Sequence, residues 1–151
     1  MKATCGNIYR NARKASGLTQ ERWAEYLGVS VDAVRQYENG IIMPGEDVLL
    51  MMADISGLKI LPYWHLSAKS RIAAKILPEL AEERCLPEAV LGLLIQIDDF
   101  REDGMKELMR IAEDGMVSEE EAPVYRHCLK QLTELVRRAY ALGYAREEGE
   151  V

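Results

Sequence analysis

The stretch "GVSVDAVRQYENG", residues 28–40, decides how the chain folds. Two glycines bracket it. Gly28 allows the left-handed backbone that closes one helix and turns toward the next. Ser30 supplies an N-cap oxygen for a helix over 31–38, and Asn39-Gly40 ends that helix. Val29, Val34 and Tyr37 fall near one face and suit a core. Val31, Asp32, Ala33, Arg35 and Gln36 fall on or near the other side. Just upstream, Thr19 caps a helix over 20–27, and small Ala24 lets the two helices cross closely. Two short helices joined by a tight glycine turn are the device that lays the second helix in a DNA major groove.

Working outward, a first helix covers 8–15 and stops at Ser16-Gly17. Pro44 forbids early continuation after residue 40, and a fourth helix covers 46–55. Beyond it, the pattern predicts helices at about 63–76, 79–84, 87–101, 104–113 and 119–146. Ser118 and Glu121 form an S-x-x-E capping box before the last of these. Hydrophobic residues make up 48% of the 151, enough for a buried core. Ala, Leu, Glu, Arg and Met are plentiful, and all of them favour helix. The expectation is all-α: a four-to-five-helix N-terminal helix-turn-helix domain at 1–66, then an acidic helical bundle at 67–151 with a long last helix.

A net charge of −6 sits awkwardly with a polyanionic partner until it is divided. Residues 1–70 hold eight Lys/Arg and seven Asp/Glu, whereas 71–151 hold eleven and eighteen. The negative excess therefore belongs to the second half. Three cysteines without paired spacing argue against a disulfide framework and for a reducing compartment. "MKATCGNIYRNARK" has no apolar signal core, and "AVLGLLIQI" (89–97) is too short to span a bilayer. A cytoplasmic protein with no membrane partner is expected.

"ARKASGLTQERWAEYLGVSVDAVRQYENGIIMPGEDVLLMMADISG" resembles the XRE family, the helix-turn-helix of phage lambda and Cro-type repressors. Arg13, Gly17-Leu18-Thr19-Gln20, Ala24, Leu27-Gly28-Val29-Ser30, Glu38-Asn39-Gly40, Pro44 and Ala53 carry the resemblance, over residues 6–57. It implies binding to double-stranded DNA, usually as a dimer. It further implies that Gln20 touches backbone phosphate and that Val31, Asp32, Ala33 and Gln36 face bases. Arg35 reaches base or phosphate, and Asn39 lies near phosphate past the recognition helix. With the cap Ser30, these residues form the expected DNA-contacting set. Arg13 and Glu38 match a partly buried ion pair tying the first helix to the third.

Three departures matter. Trp23 replaces the usual leucine, Ile41-Ile42-Met43 replaces a stretch often rich in Lys/Arg, and Val31-Asp32 adds no positive charge. Phosphate neutralisation supplies most sequence-independent affinity. The pattern therefore predicts weak non-specific binding and reliance on a second subunit. At the level of base edges, Gln36 suits adenine, Ala33 or Val31 a thymine methyl, Asp32 cytosine N4, and Arg35 guanine.

The second half offers no catalytic constellation, and no metal or cofactor is expected. In "RIAEDGMVSEEE" an EF-hand register puts Arg110 at the first ligand position, which disqualifies it. His127-Cys128 has no second ligand pair, and His65 beside Trp64 suits packing. On the last helix, Tyr125, Cys128, Leu132, Leu135, Ala139 and Leu142 repeat at 3-4-3-4-3 spacing. Leu129, Val136 and Tyr140 widen that stripe. It packs on the helix around 86–100, and Tyr125, Leu132, Leu135, Ala139 and Leu142 are candidates for a homodimer interface. The function expected is a sequence-specific regulator, a repressor, dimeric on a two-half-site operator. A protein or small-molecule effector would act at the C-terminal half. The competing reading is an antitoxin-like or regulatory adaptor whose acidic half binds a protein partner, with autoregulatory DNA binding.

Overall fold

The local signals around residue 28 set the helix ends, and a computed structural model shows where those helices pack. The structure describes residues 5–80 and 85–145, with side chains from residue 8 onward. All regular structure among them is helical. The helices are α1 (Cys5–Ala15), α2 (Gln20–Leu27), α3 (Val31–Glu38), α4 (Glu46–Ser56), α5 (Leu61–Lys69), α6 (Ala73–Ile76), α7 (Leu86–Asp99), α8 (Met105–Ile111) and α9 (Ala122–Gly143). No helix among the described residues is long and apolar enough to cross a membrane.

The chain divides into two compact units between residues 81 and 82. In the first, α1 packs against α3, α4 and α5, and α2 packs against α3. Its core joins Ile8, Tyr9 and Ala12 of α1, Trp23 and Leu27 of α2, Val34 of α3 and Met52 of α4. Trp23 is fully buried, so the larger ring is accommodated inside this core. Tyr9 stacks edge-on against both Tyr37 and His65, and its hydroxyl lies 2.8 Å from His65 Nδ1. The unit runs on past α5 because Tyr63 Oη donates to the Pro78 carbonyl and Trp64 Nε1 donates to Leu80 O at 2.7 Å. The sequence-based division at 66/67 falls inside α5.

The single helix expected over 63–76 is two. Ser70 is extended, ends α5, and accepts from Ala73 N at 3.1 Å, opening α6. A serine that offers the backbone its own hydrogen bond competes with helix continuation. Of the helix expected at 79–84, Glu79 and Leu80 are not helical and 81–84 lie outside the described residues.

In the second unit α7 packs along α9. The helix expected to stop near 101 instead widens into a π-helical turn, Phe100–Gly104, and runs directly into α8. Gly104 ends that turn at a tightly packed point. A Cβ there would meet the Phe100 ring at 2.6 Å and the Gln131 side chain. The Gly104 carbonyl accepts from Cys128 Sγ at 3.6 Å. The last helix begins at Ala122 rather than 119, with Pro123 in its first turn. Before it, Ser118 and Glu121 form the reciprocal box: Glu121 N donates to Ser118 Oγ, and Ser118 N donates to Glu121 Oε2, both at 3.2 Å.

Candidate nucleic-acid interface

The turn between α2 and α3 follows from three residues. Thr19 Oγ1 accepts from Arg22 N at 3.3 Å, and Ser30 Oγ accepts from Ala33 N at 3.1 Å. Gly28 adopts φ +63°, and its N–H closes back on α2. A side chain at that φ would be strained, so the glycine holds the angle at which α3 leaves α2.

Behind the helix pair sits one buried carboxylate. Glu38 is 4% exposed. Arg13 grips it with a two-pronged fork, Nε to Oε1 at 2.5 Å and Nη2 to Oε2 at 3.2 Å. Gln20 Nε2 donates to the same Oε2 at 2.9 Å, and Arg10 Nε approaches it at 3.5 Å. Arg13 also reaches the Leu18 carbonyl at 2.8 Å. Three helices are thus tied at one point. Burial pushes the Glu38 carboxyl upward, but the Arg13 and Gln20 hydrogen bonds outweigh it and hold the group below the usual range. The Arg13 guanidinium is raised in turn by its bond to Glu38.

Gln20 therefore spends its amide on Glu38 and is half-buried. On α3, Val31 and Ala33 are also half-buried and pack against the core. The open edge consists of Asp32 and Arg35, with half-buried Gln36 between them and Asn39 exposed just beyond. Gln36 Nε2 donates to Asp32 Oδ2 at 2.7 Å, one helical turn away. Asn39 Oδ1 accepts from Arg10 Nη2 at 3.2 Å, and the same nitrogen reaches Glu38 O at 3.4 Å. Arg10 was missed by sequence reasoning. Its only signal is the i, i+3 spacing to Arg13, which places both on one face of α1. Past α3, Ile41 is 69% exposed, so the loop where phosphate-binding cations are often found presents an apolar tip.

A family model described as helix-turn-helix matches residues 10–60. These residues are an XRE-type helix-turn-helix. No curated protein and no solved structure matches the chain. The helix-turn-helix makes this a DNA-binding, transcription-regulating chain in general terms, and it accounts for about a third of the length. The second half of α1, all of α2 through α4 and the Glu38 hub lie inside it. α7, α8 and α9 lie outside it. Among the described residues no three His, Cys, Asp or Glu side chains converge as metal ligands would.

Proposed function

We propose that the chain is a sequence-specific transcriptional repressor, working as a dimer on an operator of two half-sites, with α3 as the reading helix. The observation that carries this is the exposed edge Asp32–Arg35–Gln36 backed by the tied Arg13–Glu38–Gln20 hub. A rigidly backed helix can hold side chains against base edges without losing much entropy on binding.

Asp32 acts in this reading as a positioning residue. It occupies one N–H of the Gln36 amide and leaves the second N–H and the carbonyl oxygen facing out. That pair matches adenine N7 and N6. Arg35 reads guanine or neutralises phosphate, while Ser30, Asn39 and the one Gln20 amide N–H that does not bond Glu38 align the protein along the backbone. Val31 and Ala33 contribute their outer edges as apolar contacts to thymine methyls. The first domain reads DNA and the acidic second domain supplies the partner subunit or takes an effector.

Selection of bound sequences from a random DNA pool, followed by salt-titrated binding, tests this. Gln36→Ala relaxes preference at one or two base pairs per half-site by about 1–3 kcal/mol. Arg10→Ala weakens all sequences alike by loosening Asn39. Absence of saturable binding at low salt sinks the reading.

A further inference from the structure

α3 presents one amide group, and its surroundings fix how that group faces. Ser30 caps the helix at Ala33 N, and Val34 and Tyr37 bury its inner face in the core. Glu38 pins its last turn to Arg13 and Gln20. The helix is therefore held about its own axis. On the outward side Gln36 Nε2 donates to Asp32 Oδ2 at 2.7 Å, one helical turn away. Asp32 is exposed and Gln36 is half-buried.

This bond spends one of the two amide N–H groups. Turning the amide over would set its carbonyl oxygen against a carboxylate, so the observed orientation is the stable one. A single N–H and a single carbonyl oxygen are left facing out. In the major groove adenine offers the matching pair, an acceptor at N7 and a donor at N6. Guanine offers two acceptors there, and thymine and cytosine offer one polar group each. The adenine amino group has two hydrogens. One pairs with thymine, and the other is the one that Gln36 meets. A methyl group on N6 displaces the second, because the first must stay for the base pair to hold. The Gln36 oxygen then faces a methyl and loses its donor at a contact from which water is excluded.

We propose that the Asp32–Gln36 pair makes the chain read the methylation state of one adenine in each half-site, accepting the unmethylated base and rejecting N6-methyladenine. The inference rests on the DNA-reading role proposed above and adds a chemical state of the DNA to it. A glutamine without the clamp turns aside from the methyl. Asp32 removes that escape. A site built to hydrogen-bond a group rejects an analogue lacking it far more strongly than an apolar contact rejects one extra methyl.

Fluorescence anisotropy with the full chain, on duplexes of the sequence it selects, tests this. The base pair read by Gln36 is the one at which Gln36→Ala relaxes preference. N6-methyladenine placed there weakens binding by about 10-fold for one half-site. The same methyl at other adenines of the duplex leaves affinity nearly unchanged. Gln36→Ala abolishes the difference between methylated and unmethylated duplexes. Asp32→Ala still binds DNA but loses most of that difference, because Gln36 is free to move. A merely structural loss weakens both duplexes alike and leaves their ratio as it was. A Gln36-dependent pair other than A·T, a methyl there without effect, or an equal effect at every adenine overturns the inference and leaves DNA reading standing. Full discrimination in Asp32→Ala overturns the clamp on which the inference depends. A chain with no saturable DNA binding overturns both the inference and the reading beneath it.

Discussion

The two units solve the burial problem differently. In the first, Tyr9, Trp23, Val34, Met52 and Leu61 are sealed from solvent, and even the charged Glu38 is enclosed with its partners. In the second, the buried apolar residues among those described are Ala89, Ile111 and Cys128, while Leu91, Leu94 and Ile95 of α7 stand more than half exposed. Five short helices crossing at several angles enclose a core on all sides. Two long antiparallel helices can bury only the strip where they touch, and whatever apolar surface lies beyond that strip is left over. A unit of the first kind holds a shape by itself. A unit of the second kind keeps apolar side chains in contact with solvent.

Four perturbations press on this contrast, from the largest effect down. Glu38→Ala leaves Arg13 partly buried without its carboxylate and costs about 3–5 kcal/mol. Both tryptophans, Trp23 and Trp64, belong to the first unit. Denaturant unfolding followed by tryptophan fluorescence therefore reads this loss directly, and an unchanged midpoint would mean the hub is ornamental. Gly104→Ala drives a methyl into Phe100 and Gln131 and costs about 1–3 kcal/mol. It appears in the helical dichroism transition and leaves the tryptophan signal alone.

A pH series separates the units without mutation. Burial, reinforced by Lys69 and opposed by Glu46, lowers the His65 imidazole from its ordinary 6.5. A group with a depressed folded pKa stabilises the fold above its unfolded value, and that stability drains as pH falls through the folded value. The first unit therefore begins to weaken as pH drops below about 6.5, and Glu38 adds to the loss below about 4.5. In the second unit Glu134 is lowered to about 2, chiefly by its hydrogen bond to Arg137. Its contribution is retained above 4.5 and lost between there and 2, and solvent at this half-exposed site keeps it small. Tryptophan fluorescence should thus respond to acid before the remaining helical signal, and His65→Gln should remove the first part of the response. The reverse order would break the comparison. Smallest of all is Gly92→Ala. The methyl meets only the mobile end of Arg138 at 2.6 Å, and the gain in helix propensity offsets the adjustment. The melting midpoint should shift by less than about 0.5 kcal/mol in equivalent stability.

Legibility followed the range of the interactions involved. α2 and α3 match the sequence reading residue for residue because Thr19, Gly28 and Ser30 act within four positions of the ends they set. The helix over 63–76 was read as continuous because only the hydrogen bond to Ser70 reveals the break. Arg13 with Glu38 was available from the family pattern, but Arg10 and the tie from Gln20 to Glu38 were not. Those depend on how α1 and α2 lie against α3, and spacing along one helix does not carry that. The stripe on the last helix was legible as apolar. Its division was not: Leu135 and Leu142 are half-buried on the α7 side, whereas Leu129 and Val136 stay exposed.

By itself, the sequence determined the helical class, the helix-turn-helix in its first third, the acidic second half and the residues from which α3 is made. Caps, turn glycines and hydrophobic periodicity are local, so they are written in consecutive residues. Tertiary structure alone decided that Gln20 is committed to Glu38, that Asp32 holds Gln36, that Val31 and Ala33 lean into the core, and which side of the last helix is left open. Each of these depends on residues from different turns or helices meeting in space, and that meeting is set by packing.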